Sequence, residues 1–215
     1  EFLAVMSHEL KHPLNLIHLN AELMARMPVT QTNPMLSRAA ETIRASAASQ
    51  AKIINDLLDL SRLKTGKMTI NRDRIDLREM TRTIIDMLRA DPSTASLQIE
   101  LSEPVQPVWL YADQTRIEQV IWNLLNNAIK FTPAGGTVSI TISDVQGEAR
   151  LAVCDTGQGI AAQFLPTIFN MFGQGTPSIV RGTKGLGIGL AMVQQIVELH
   201  GGRVVAASEG SGKGA

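Results

Sequence analysis

The sequence predicts an α+β protein in two parts: an antiparallel helical hairpin that pairs with a second copy as a four-helix bundle, then an α+β domain carrying a long flap. Three observations carry this. Two apolar stripes at steps of three and four, parted by a proline-bounded break, fill the chain up to about Ser61. Strand-like runs rich in Val, Ile and Thr begin only after Gly66. A Gly-rich, irregular stretch from Thr156 to Lys184 then interrupts the second part.

The first stripe is Leu3, Met6, Leu10, Leu14, Ile17, Ala21 and Met24, the pattern of an amphipathic helix with a coiled-coil-like seam. Pro28 to Pro34, with Thr30, Thr32 and Asn33 between, breaks it. The second stripe is Leu36, Ala40, Ile43, Ala47, Gln50, Ile54, Leu57 and Ser61. A short connection makes the two helices antiparallel neighbours. One hairpin cannot bury both seams, so a homodimer is expected. Lys64, Thr65, Gly66 and Lys67 read as a helix stop and hinge, giving expected domains of 1–65 and 66–215.

In the second part, helical periods fall at about 76–90, 113–130 and 186–200. Strand-like runs fall at about 97–102, 107–111, 137–143, 149–154 and 203–207. The Thr156–Lys184 stretch is expected to form a lid, with Phe169 and Phe172 inside it. The chain opens within a helix and stops after a glycine-rich segment, so both ends are expected to be cuts in a longer protein, with a sensor outside and the second domain truncated at its C-terminus.

Composition narrows the function. Lys plus Arg and Asp plus Glu are 20 each, a balance that argues against nucleic acid or an anionic membrane as the main partner. Cys154 is the single cysteine, so no internal disulfide forms, which fits a reducing compartment. No run reaches the roughly 18 apolar residues of a membrane span, and no signal peptide opens the chain. A cytoplasmic location is expected, with the whole protein either soluble or attached to the cytoplasmic face of the inner membrane.

His8 sits two residues from both Met6 and Leu10, and at about 100° per residue it points away from their seam. An imidazole with a pKa near 6.5 is largely neutral at pH 7 and can act as a nucleophile, and Glu9 beside it can take up a proton. The run from His8 to His12 also fits H-E-x-x-H, the zinc-protease pattern, and His18 falls where an extended form places a third ligand. Asn15, however, stands where that form has the glycine that turns the chain back. On a continuous helix His18 lies about 15 Å along the axis from His8, too far to share a zinc ion.

Asn123 and Asn127 lie four apart on the helix from Asp113, so two amide oxygens share one face, with Lys130 close by. Mg²⁺ takes few protein ligands when phosphates supply the rest, so one such oxygen suffices, and Lys130 can meet a phosphate as a point charge. Asp155, Gly157, Gly159 and Ile160 follow a strand run; a carboxylate there can accept a hydrogen bond from an adenine amino group, and the glycines let the backbone approach the base. Gly185, Leu186, Gly187 and Gly189 open the last helix, where backbone N–H groups form an anion site. Leu190 breaks the dinucleotide fingerprint, and no P-loop motif occurs.

These boxes together resemble the sensor histidine kinases of two-component signalling across nearly the whole chain. Phe2 to Leu14 is similar to the phosphoacceptor box, Asn123 to Thr132 to the asparagine box, and Asp155 to Ile160 to the first glycine box. Phe169 to Phe172 resembles the phenylalanine box, Gly185 to Leu190 the second glycine box, and Gly210 to Gly214 the start of a last one. The resemblance implies a GHKL-type α/β sandwich after the hairpin. It implies ATP and Mg²⁺ as cofactors, autophosphorylation of His8 with Glu9 as acid/base, and Asn127 as Mg²⁺ ligand. Asn123 and Lys130 would contact phosphates, Phe131 would pack near the nucleotide, and Asp155 would read adenine. A response-regulator receiver domain is the implied partner, receiving the phosphoryl group on an aspartate. The family usually has Thr or Asn four residues after the phosphoacceptor; His12 stands there, about 40° around the helix from His8, so phosphatase activity by the usual residue is in doubt. The alternatives are a nucleotide-binding pseudokinase or adaptor, against which the intact His8 and Asn127 argue, and the zinc protease above.

Overall fold

The structure, a computed structural model, describes residues 2–170 and 187–215; for residues 2–12 and 64 it describes the backbone only. The chain divides into two compact units, Glu1–Met68 and Thr69–Ala215.

The first unit is a helical hairpin. Helix α1 (Phe2–Arg26) carries Pro13 within it, and α3 (Pro34–Lys64) runs back along it. The break between them is itself one helical turn, α2 (Pro28–Thr32), opened by Pro28 at a position where a missing N–H costs nothing. Asn33 caps α3, its Oδ1 accepting the N–H groups of Met35 and Leu36 at 3.0 and 3.4 Å. Within one chain the buried apolar positions among the described side chains are Leu14, Ala21, Ala40, Ala47 and Leu60. Other members of the two stripes, Ile17, Met24, Leu36, Ile43 and Leu57, are 38–46% exposed, as are neighbouring Leu16, Leu19 and Leu23 at about half. Three alanines and two leucines fill the described intrachain contact, and most of the larger apolar residues face outward.

The second unit opens with a strand that the periodicity does not announce, β1 (Asp73–Asp76), in which only Ile75 is buried. It pairs antiparallel with β3 (Trp109–Ala112). The second sheet is β2 (Gln98–Ser102), β4 (Thr137–Val145) and β5 (Glu148–Asp155), with β2 parallel and β5 antiparallel to the central β4. Val138, Ile140 and Ile142 alternate along β4 and are buried on one face. Gln146 and Gly147, both at positive φ, close the β4–β5 hairpin as a two-residue turn.

Helices cover that face. Asp76 caps α4 (Leu77–Ala90), which buries Leu77, Thr81, Ile84, Ile85 and Leu88 at helical spacing. Asp113 caps α5 (Gln114–Phe131), whose Ile121 and Leu125 are fully buried in the same core, each side chain contributing roughly 1.5–3 kcal/mol by leaving water. Helix α6 (Gly189–Leu199) packs on α5 through a face that buries Ala191, Met192, Val193 and Ile196.

The run 203–207 corrects an expectation. It forms no strand despite Val204 and Val205, and Val205 is 84% exposed. β-rich composition makes a strand only where the fold lays the run against a sheet edge; among the described residues β5 is paired with β4, and its end at Asp155 bonds Ala215 rather than this run.

Candidate nucleotide site

Helix α5 is the spine of the site. Its N-terminus is fixed by Asp113, whose Oδ1 accepts the N–H of Arg116 at 3.1 Å. Its C-terminus is released at Thr132, whose buried hydroxyl turns back to the Ala128 carbonyl at 2.6 Å, with Pro133 next. Asn123 and Asn127 share one half-buried face. At that face α6 begins: a Cβ placed on Gly189 would lie 3.4 Å from Oδ1 of Asn123. The structure thus brings the first asparagine and the last glycine of the second glycine box side by side. Gly187, at φ +68°, makes the turn into α6. Ile188 at its N-cap offers no side-chain bond, so among the described residues the first N–H groups of α6 have no side-chain cap, the arrangement that suits an anion.

The other end of α5 meets the first glycine box. Gln158 N–H donates to the Phe131 carbonyl at 3.1 Å, and a Cβ on Gly157 would collide with that same oxygen. Gly157 N–H donates to Oδ1 of Asp155 at 2.8 Å, which fixes the carboxylate and leaves Oδ2 for a second donor. Asn123 and Phe131 are eight residues apart, about 12 Å along the helix. That separation puts the start of α6 against the middle of α5 and the oriented carboxylate against its C-terminal end.

Lys130 stands over the Phe131 ring, its Nζ 4.8 Å from the centroid. Burial lowers its pKa below the ordinary lysine value.

The last glycines close over the first glycine box, a relationship that local sequence does not signal. Gly212 N–H donates to the Gln158 carbonyl at 2.6 Å and Gly214 N–H to that of Gly157 at 3.2 Å. Asp155 and Ala215 exchange two backbone bonds, at 2.9 and 3.3 Å. Ser208, which sequence reasoning missed, bonds the N–H of Ile160. Phe169 is described and half-buried; Gly185, Leu186 and Phe172 lie outside the described residues. His8, Glu9 and His12 lie on the α1 backbone, and their side chains are outside the described set. Among the described residues no cluster of His, Cys, Asp and Glu could hold a metal ion. For Mg²⁺ the donor set fits by type: the neutral amide oxygen of Asn127, on the same half-buried face as Asn123, with phosphates supplying the charge.

Comparison with known proteins agrees in both parts. Residues 1–66 match the family described as "His Kinase A (phospho-acceptor) domain", and residues 112–215 match "Histidine kinase-, DNA gyrase B-, and HSP90-like ATPase". The chain is 34% identical over 204 residues to histidine protein kinase DivJ of Caulobacter vibrioides, covering 95% of this chain and 34% of that protein. It is 35% identical to the autoinducer 2 sensor kinase/phosphatase LuxQ of Vibrio cholerae, covering 97% of this chain and 24% of that one. It therefore spans about a third or less of the length of these curated relatives. Among solved structures, full-length ShkA in complex with AMPPNP superposes with a TM-score of 0.77 at 28% identity, covering 100% of this chain and 44% of that one.

Proposed function

Because the chain belongs to the sensor histidine kinases of two-component signalling, we propose that it binds ATP and Mg²⁺, phosphorylates its own His8 and passes the phosphoryl group to an aspartate of a response-regulator receiver domain. The observation that carries this is the joining, on α5, of Asn123 beside Gly189 at mid-helix and of Phe131 with the Asp155 turn at its C-terminal end. The oriented Asp155 carboxylate accepts from the adenine amino group, with Gly157, Gly159 and Ile160 lining the base. Asn123, Lys130 and the N–H groups that open α6, with Gly185, Leu186 and Gly187 ahead of them, meet the phosphates. Asn127 holds Mg²⁺, which when bound neutralises phosphate charge.

In the transfer, the lone pair of one His8 ring nitrogen forms the N–P bond as the bond from the γ-phosphorus to its bridging oxygen breaks and ADP leaves. The other ring N–H gives its proton to Glu9. Positioning and charge neutralisation supply most of the rate.

The outward-facing Leu16, Ile17, Leu19, Leu23, Ile43 and Leu57 support a homodimer through the hairpin, since a second copy would remove them from water. No described helix is long and apolar enough to cross a membrane; catalysis on the cytoplasmic side, with an upstream sensor in the longer protein, completes the reading. His12 serves either as a substitute water-positioner or as the mark of weak phosphatase activity. No loss of partner dephosphorylation in His12→Ala would sink the substitute role.

The test is incubation with γ-labelled ATP and Mg²⁺, for the parent and His8→Gln. Label on the parent alone, lost in acid and kept in alkali, is the expected result. No label despite ATP binding would point to a pseudokinase, and no nucleotide binding would overturn the reading.

A further inference from the structure

We propose that Ser208 is a positioning residue for base recognition: its hydroxyl sets the register between the terminal glycines and the Asp155 turn, and so fixes where the Asp155 carboxylate points. This rests on the reading of Asp155 as the adenine acceptor.

A serine hydroxyl offers one donor and two acceptor sites, and Ser208 uses all three. Its Oγ accepts the N–H of Ile160 at 2.9 Å and that of Gly210 at 3.3 Å. Its proton goes to the Gly214 carbonyl at 2.5 Å, with the Gly210 carbonyl at 3.4 Å a poor competitor. One side chain therefore joins both glycine segments. Around it the backbones touch without any side chain between them. Gly159, at φ +67°, would drive a Cβ into the Gly210 carbonyl, and Gly214, at φ +73°, would drive one into the Asp155 carbonyl.

The chain of constraint runs from Ser208 to Gly214, from Gly214 to the Gly157 carbonyl, and from Gly157 N–H to Oδ1 of Asp155. On its other side the turn rests on the Phe131 carbonyl through Gln158. Removing the hydroxyl leaves Ile160 and Gly210 N–H groups and the Gly214 carbonyl without this partner, so the side of the turn that α5 does not hold rests on the backbone bonds of Gly212, Gly214 and Ala215 alone. The phosphate end, built from Asn123 and the start of α6, has no bond to Ser208 among the described residues.

The experiment is titration of ATP, GTP and inorganic triphosphate into the parent, Ser208→Ala and Ser208→Thr, with amide exchange on the nucleotide-free proteins. Guanine turns a carbonyl toward a carboxylate that should meet an amino group, so the parent prefers ATP. In Ser208→Ala that preference falls by about tenfold, the worth of one hydrogen bond to a charged group, while triphosphate affinity holds. Threonine keeps the hydroxyl and restores the preference. Exchange at Ile160 and Gly210 quickens only in the alanine variant. An unchanged preference in Ser208→Ala, or an equal loss for all three ligands, overturns the proposal and leaves Asp155 as the adenine reader. Asp155→Asn with undiminished preference overturns that underlying reading instead. Should Ser208→Ala not fold, the parent decides: an unprotected Ile160 amide removes the proposal's basis.

Discussion

The backbone N–H of Asp113 donates to Nε2 of His200 at 3.0 Å, while Nδ1 of the same ring faces the Ile196 carbonyl at 2.8 Å. The first bond requires Nε2 to accept, so the ring is neutral with its proton on Nδ1, donated to Ile196. Asp113 in turn accepts the N–H of Asn71 through Oδ2, and Arg72 donates to the Leu199 carbonyl. The end of α6, the start of α5 and the segment entering β1 are thereby one joint.

His200→Ala should destabilise the second unit by about 1–2 kcal/mol, because the Asp113 N–H loses its partner. Urea unfolding should show a lower midpoint at unchanged slope. His200→Gln, which keeps an acceptor, should lose less. Equal stability of parent and alanine variant would show that water replaces the ring without cost.

Gly159→Ala and Gly147→Ala should separate strain from crowding. Both residues have positive φ, but a Cβ on Gly147 meets open space while one on Gly159 meets the Gly210 carbonyl. Strain alone costs about 1–2 kcal/mol. Gly147→Ala should show that cost by thermal melting and bind nucleotide as the parent does. Gly159→Ala should be less stable still and bind nucleotide more weakly; equivalent behaviour of the two variants would contradict the packing described above.

Asp56 on α3 has its pKa raised above 3.8, chiefly by burial and further by Asp59, against the opposing pull of Lys52. The folded hairpin thus binds the Asp56 proton more tightly than the unfolded chain does, so this group's destabilisation is fully present above the raised pKa and absent below the unfolded value. Asp56→Asn should stabilise the protein at pH 7. Melts at descending pH should show the advantage shrinking through the raised pKa and vanishing below about 3.8. A pH-independent gain would mean that packing, not charge, is responsible.

Lys130→Met should weaken ATP and leave adenosine binding nearly unchanged, since the ammonium is assigned to phosphates. Calorimetric titration at two salt concentrations checks it: the parent's ATP affinity should fall more steeply with salt than the variant's. Parallel salt dependence would remove Lys130 from the phosphate site.

Much of the site was legible because its pieces are local. Asn123 and Asn127 share a face through helix period alone, and a glycine-rich helix entry at 185–190 needs no distant partner to be read as an anion site. The two stripes of the hairpin and the strand-like run at 137–143 were readable for the same reason. β1 was missed because four residues with one buried side chain, Ile75, carry too little pattern. The run 203–207 was read as a strand from Val204 and Val205, yet composition cannot say whether the fold lays a run against a sheet edge.

By itself the sequence determined the order of the boxes, the helical hairpin and the residue types of the nucleotide site, since periodicity and chemistry within a few residues are properties of the chain. Only the tertiary structure decided which backbone groups meet. The Ser208 hydroxyl finds the Ile160 N–H across 48 residues, and the Asp113 N–H finds His200 across 87. Every backbone carries the same donor and acceptor whatever its side chain, so residue identity cannot name such partners; packing of α5, α6 and the terminal glycines selects them.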